Sequence, residues 1–169
     1  MRPVRVLFVC HANLCRSPLA EGLLRHMADQ RGLGHRIEVD SAGTYAMDGS
    51  PPHPESVRIA REHGFDLTGR SRSLEPDDLQ RFDEILAMDR RNLADIERYV
   101  RISAFGRVEG RRARIRLARS LVSPGARGAE LDVPDPFAGG PDGYARVYDI
   151  LEGVCARLLD EIAAPDVAR

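Results

Sequence analysis

Apolar positions along the chain change period several times, and each change predicts an element. Val4 to Cys10 is a β-branched, apolar run of strand length that stops at His11. After a polar turn, Ser17-Pro18 opens a helix with proline at its first position, where a missing N–H costs nothing. Leu19, Leu23, Leu24 and Met27 then recur at helical spacing until Gly32 and Gly34 stop them. Ile37 to Val39 predicts a short second strand ending at Asp40-Ser41. The proline-rich stretch Pro51 to Pro54 leads into a helix carrying Val57, Ile59 and Ala60 before Gly64. Phe82 to Met88 predicts a third strand, and Asp89 is placed to cap a helix reaching about Tyr99. Ile115 and Leu117 alternate with Arg114 and Arg116, the pattern of an edge strand guarded by charge. The last helix sets Tyr144, Val147, Tyr148, Leu151, Val154, Cys155, Leu158, Leu159 and Ile162 on one apolar stripe.

Strands alternating with helices predict an α/β fold of three layers, a doubly wound, four-stranded parallel sheet with helices on both faces, flavodoxin-like in outline. No repeat or linker divides the chain, so residues 1–169 are expected to form one domain, with 165–169 as a disordered tail. In such folds ligands sit beyond the carboxyl ends of the strands, where strand order reverses. That directs attention to the loop after the first strand.

Composition narrows the chemistry. The 25 basic and 26 acidic residues leave a formal net charge of −1, so no global field draws the chain to nucleic acid or to a membrane surface. Every basic residue is arginine, which excludes the Walker phosphate loop, the pyridoxal Schiff base and the kinase strand lysine. Three cysteines cannot build a disulfide framework and fit a reducing compartment, so a cytoplasmic location is expected. No apolar run approaches the roughly 20 residues of a membrane helix.

The loop reads Cys10-His11-Ala12-Asn13-Leu14-Cys15-Arg16-Ser17. A loop wound about a point aims successive amides inward, and a helix opening beside it adds its positive end. Arginine adds a planar fork for two phosphate oxygens. A free thiol of pKa about 8.5 is only about 3% ionised at pH 7, and helix-end environments of this kind lower that value. The field that holds an oxyanion therefore also prepares Cys10 as a nucleophile. Cys10 as a buried apolar filler or Cys10 and Cys15 as zinc ligands are weaker readings, the latter because no second pair completes a tetrahedral set.

Here the chain resembles the low-molecular-weight protein tyrosine phosphatases, bacterial members included. The resemblance rests on Val9-Cys10 through Arg16-Ser17-Pro18, Asp40-Ser41-Ala42-Gly43-Thr44, Phe82 through Asp89, and Val133-Pro134-Asp135-Pro136-Phe137, in that order. It implies Cys10 as nucleophile, Arg16 as phosphate clamp and Asp135 as general acid and base, with no metal or cofactor. It further implies a phosphate-binding loop of His11, Ala12, Asn13, Leu14, Cys15 and Arg16. Asn13, Ser17 and Ser41 would hold that loop, and His11, Tyr45 and Phe137 would form a substrate pocket. Cys15 would be able to trap Cys10 in a reversible disulfide. The implied partner is a tyrosine-phosphorylated protein.

Three positions depart from the family pattern. Ala12 stands where glycine is usual, Ala138 replaces a second aromatic, and Gly69 replaces a histidine. A phosphate-binding module without turnover is the alternative these departures leave. An arsenate reductase is disfavoured because no cysteine lies between Cys15 and Cys155 to relay a disulfide. Protein-arginine phosphatases resemble the loop but carry threonine where Leu14 stands. The six arginines between Arg107 and Arg119, accompanied only by Glu109, read as a solvated face and edge guard rather than a recruitment patch. His53, like His26, His35 and His63, reads as a surface or locally satisfied residue.

Overall fold

The computed structural model describes residues 1–104, 113–137 and 139–164. Ala138, the tail 165–169, and Arg107, Glu109, Arg111 and Arg112 of the arginine cluster lie outside the described residues. Four strands form one all-parallel sheet: β1 (Val4–Cys10), β2 (Ile37–Gly43), β3 (Glu84–Ala87) and β4 (Arg114–Leu117), in the order β2-β1-β3-β4. The helices are α1 (Arg16–Gln30), α2 (Pro54–Glu62), α3 (Asp78–Arg81), α4 (Arg90–Ala104) and α5 (Pro141–Ala163). The chain steps from β1 to β2 on one side and then returns to place β3 on the other. Strand order therefore reverses at the carboxyl end of β1, at Cys10.

The period of two along β1 divides the interior. Val6, Phe8 and Cys10 pack with Leu19, Leu23 and Leu24 of α1 and the apolar stripe of α5. Leu7 and Val9 face the other way, onto Leu79, Phe82 and Ile96. β3 splits likewise, Leu86 to the first layer and Ile85 and Ala87 to the second. With both faces covered, β1 needs apolar residues at consecutive positions, which is why its sequence does not alternate. Among the described residues, no helix is long and apolar enough to cross a membrane.

Several boundaries differ from the sequence pattern. α1 begins at Arg16, so Pro18 is its third residue; it stays harmless because the first turn's N–H groups lack intrahelical acceptors anyway. β2 runs on to Gly43 because β1 pairs with it along its whole length, Cys10 opposite Gly43. β3 is shorter than Phe82 to Met88, although Met88 N–H still bonds to Val9 O at 2.9 Å. The four-residue α3 shows no periodicity to read. β4 is an edge strand as expected, but Arg116 is no solvated guard: its side chain is 16% exposed, bonded to Glu84 at 3.1 Å and Glu161 at 2.9 Å. Burial pushes the Glu84 carboxyl up despite Arg116 and Arg114 beside it.

Candidate active site

The loop between β1 and α1 is anchored from outside. The carbonyls of Cys10, His11 and Leu14 accept from Thr44 N (3.0 Å), Tyr45 N (2.9 Å) and His53 N (2.8 Å). With the carbonyls turned outward, the loop amides turn inward. Among the described residues no acceptor is paired with the N–H groups of residues 11–15. Those amides and the first turn of α1 together have the arrangement that an oxyanion cradle at a helix N-terminus requires. Gly43 permits the close approach of β2: a Cβ there would stand 2.6 Å from His11 O and 2.9 Å from Asn13 N.

Asn13 is the internal strut. It is the one non-glycine residue at positive φ among the described residues, +56°, a conformation asparagine tolerates. Ala12 therefore carries no left-handed strain, and the departure from glycine there is absorbed without one. Asn13 Nδ2 donates to Ser17 Oγ and to Ser41 Oγ, each at 2.9 Å, and its Oδ1 accepts Arg72 N–H at 2.9 Å. Ser41 donates onward to Glu21 at 2.6 Å. Ser17 Oγ lies 2.9 Å from Cys10 Sγ. Beside Gly69, where the family pattern has a histidine, Asn13, Glu21 and Ser41 border a small cavity of about 20 Å³.

Arg16, 2% exposed, is held from behind. Its Nη1 donates to Asp89 Oδ2 at 2.7 Å and to Val133 O at 2.9 Å, while Nη2 lies 3.6 Å from Asp135 Oδ2. Asp89 caps α4 as the sequence predicts, since its Oδ1 accepts Asn92 N–H at 2.8 Å. Its second oxygen orients the arginine, a role the sequence reading missed. The available signal was position: Asp89 follows the carboxyl end of β3, the strand next to β1.

Cys10, His11, Ala12, Leu14, Cys15, Arg16, Asp135 and Phe137 line one pocket of about 290 Å³. The structure thus brings Cys10, Arg16 and Asp135 together across 125 positions of sequence. Cys10 is 3% exposed and Asp135 53%, which puts the sulfur deep and the carboxylate at the mouth. Asp135 Oδ1 accepts Phe137 N–H at 3.1 Å, a tight turn that sets the carboxylate and the aromatic ring on one rim. Tyr45 stands one ring further out, tilted against His11 with centroids 5.1 Å apart.

Cys15 lines the pocket and is tied to α5. Its Sγ lies 3.4 Å from the hydroxyl of Tyr144, which in turn meets His53 Nδ1 at 3.1 Å. His53 also stacks on Tyr144 and presents its edge to Phe137, so it is tied to the site rather than free on the surface. Burial pushes the Cys15 thiol above its ordinary range, outweighing the Tyr144 hydrogen bond that pulls it down. Cys155 is fully buried under α1, and all three cysteines are free thiols.

Comparison with known proteins identifies the family. The family model described as low molecular weight phosphotyrosine protein phosphatase matches residues 5–167. A low molecular weight protein-tyrosine-phosphatase of Streptomyces coelicolor is 36% identical over 156 residues, covering 92% of this chain and 91% of that protein. The crystal structure of YfkJ from Bacillus subtilis superposes with a TM-score of 0.77 at 32% identity, covering 95% of this chain and 94% of that one. The crystal structure of DARP, drosophila arginine phosphatase, gives 0.81 at 30% identity over 95% and 99% of the two chains. With the match running almost end to end, the chain belongs to the low molecular weight phosphotyrosine protein phosphatase family, and it is a hydrolase.

Proposed function

We propose that the protein hydrolyses phosphotyrosine in protein substrates through a cysteinyl-phosphate. The observation that carries this reading is one pocket holding Cys10 at depth, Arg16 beside it and Asp135 at the mouth. Cys10 thiolate attacks phosphorus in line; the bond to the tyrosine oxygen breaks and Asp135 gives that oxygen its proton. Asp135, now a carboxylate, takes a proton from water as the water oxygen attacks phosphorus. The S–P bond breaks, inorganic phosphate leaves and the thiolate returns. The loop amides and Arg16 hold the equatorial oxygens throughout, where charge is spread in the transition state. Ser17, 2.9 Å from the sulfur, stabilises it as a leaving group in the second step.

Substrate class is argued from the walls. Leu14, His11 and Phe137 give the pocket an apolar lining suited to an aryl ring. DARP is an arginine phosphatase by its description, so phosphoarginine is the second reading. Leu14 weighs against it, standing where arginine phosphatases carry threonine. We place the activity in the cytoplasm, acting on tyrosine-phosphorylated proteins. Turnover of matched phosphotyrosine and phosphoarginine peptides tests the assignment: cleavage of the first, lost in Cys10→Ser, is expected. Cleavage of phosphoarginine alone would replace the reading, and binding of both without release of phosphate would leave only a phosphate-binding module.

A further inference from the structure

A second pocket, of about 210 Å³, adjoins the first. Tyr45 and Leu74 form one side of it, and Asp95, Arg98, Tyr99 and Ile102 of α4 the other. The α4 residues fall at i, i+3, i+4 and i+7, so one helix face builds that wall. The partition between the two pockets is a pair of rings. His11 lines the phosphate pocket, Tyr45 lines the second, and their centroids are 5.1 Å apart. Consecutive Cα atoms lie about 3.8 Å apart, so a peptide with its phosphotyrosine in the first pocket carries a neighbouring side chain across that partition.

The charge at the mouth selects what enters. Arg98 is 59% exposed, and its nearest carboxylate among the described residues, Asp95, is 3.9 Å away, beyond hydrogen-bond distance. Its guanidinium bonds instead to the neutral phenol of Tyr45, at 2.7 Å. Arg2 and Arg90, about as exposed, reach their carboxylates directly, Asp83 at 2.8 Å and Asp132 at 3.0 Å, whereas Arg114, like Arg98, stays 3.9 Å from its own. Arg98 therefore keeps donors for an incoming anion and is aimed by Tyr45 toward the site. Thr44 lines the same pocket, and its hydroxyl and Asp95 Oδ2 are buried without a hydrogen-bond partner among the described residues. Leu74, Tyr99 and Ile102 supply apolar wall for methylene groups.

Resting on the phosphotyrosine reading above, we propose that this pocket is a specificity site for a glutamate flanking the phosphotyrosine of the protein substrate. The glutamate stem lies against Tyr99 and Ile102 and its carboxylate pairs with Arg98. Asp95, 3.9 Å from Arg98 on the same helix face, opposes the incoming charge, which keeps the preference moderate.

Peptides with glutamate, glutamine or lysine on either side of one phosphotyrosine, together with a small aryl phosphate, test it on wild type and Arg98→Gln. The expected result is kcat/KM about three- to fivefold higher for glutamate than for glutamine at one flank, as an exposed ion pair supports, with lysine lower still. Added salt should shrink the difference. In Arg98→Gln the glutamate advantage disappears while aryl phosphate turnover stays at the wild-type level. Equal rates for all three flanks in wild type, or an advantage that survives Arg98→Gln, overturns the specificity site and leaves the phosphotyrosine reading standing. Wild type that cleaves aryl phosphate but no phosphotyrosine peptide overturns both.

Discussion

Replacing Asp89 with asparagine keeps the shape of the side chain and removes one charge. Asp89 serves two donors at once, Arg16 Nη1 at 2.7 Å through Oδ2 and Asn92 N–H at 2.8 Å through Oδ1. Asparagine has a single oxygen, so either its NH₂ meets the Arg16 guanidinium or it meets the Asn92 amide, and one bond is lost in both cases. A hydrogen bond to a charged group contributes about 1.5–3 kcal/mol and a helix cap about 1 kcal/mol, so a loss of about 2 kcal/mol is expected. For a chain of 169 residues that lowers the melting temperature by about 4–8 °C. Arg16 keeps Val133 O but can swing about it, and a misplacement near 1 Å costs about 10²-fold in rate. Thermal unfolding and aryl phosphate kinetics check both numbers, with kcat/KM expected to fall about 10- to 100-fold. An Asp89→Asn variant with unchanged melting and unchanged kcat/KM would refute the assignment of Asp89 as the group that orients Arg16.

Three further outcomes follow from the same geometry. Asp135→Ala should lower kcat/KM, which reports phosphoenzyme formation, by about 10²–10⁴-fold for alkyl or phenyl esters but much less for esters of acidic phenols, which leave without a proton; equal kcat/KM losses across leaving groups would count against a general acid. Gly43→Ala drives a Cβ toward two loop backbone atoms and should cost about 1–3 kcal/mol in denaturant unfolding, together with activity. Full burial pushes the Cys155 thiol pKa up, so the fold keeps a proton that the unfolded chain releases above about pH 8.5. Its stabilising contribution is complete below that pH and is lost as pH rises, by about 1.4 kcal/mol per pH unit. Cys15, raised in the same direction, adds to the slope, and Cys155→Ala should flatten it in urea titrations from pH 8 to 10.

What could be read locally was read well. The β1 run, the α5 stripe and the loop with Arg16 at a helix start depend on neighbours in sequence, and the structure has each of them. Contacts between neighbouring elements left no local trace. Asp89 looks like a helix cap and is one, but its link to Arg16 spans 73 residues and exists only because β3 lies beside β1. His53 reads as a surface or satisfied residue and Tyr144 as core; His53 is satisfied, and the pattern gives no sign that 91 positions apart the two share a hydrogen bond behind Cys15. Glycine is usual at position 12, but the left-handed backbone of the loop lies one residue later, on Asn13, whose side chain is bonded at both ends. Arg116 matched an edge-strand alternation, but its partners Glu84 and Glu161 come from β3 and α5.

Rapid quenching during the first turnover of a phosphorus-labelled aryl phosphate, followed by peptide mapping, tests the nucleophile itself. One phosphoryl group per chain, on the Cys10 sulfur and accumulating further in Asp135→Ala with a good leaving group, is the expected result. Steady turnover with no labelled protein, or label on any other residue, would contradict it.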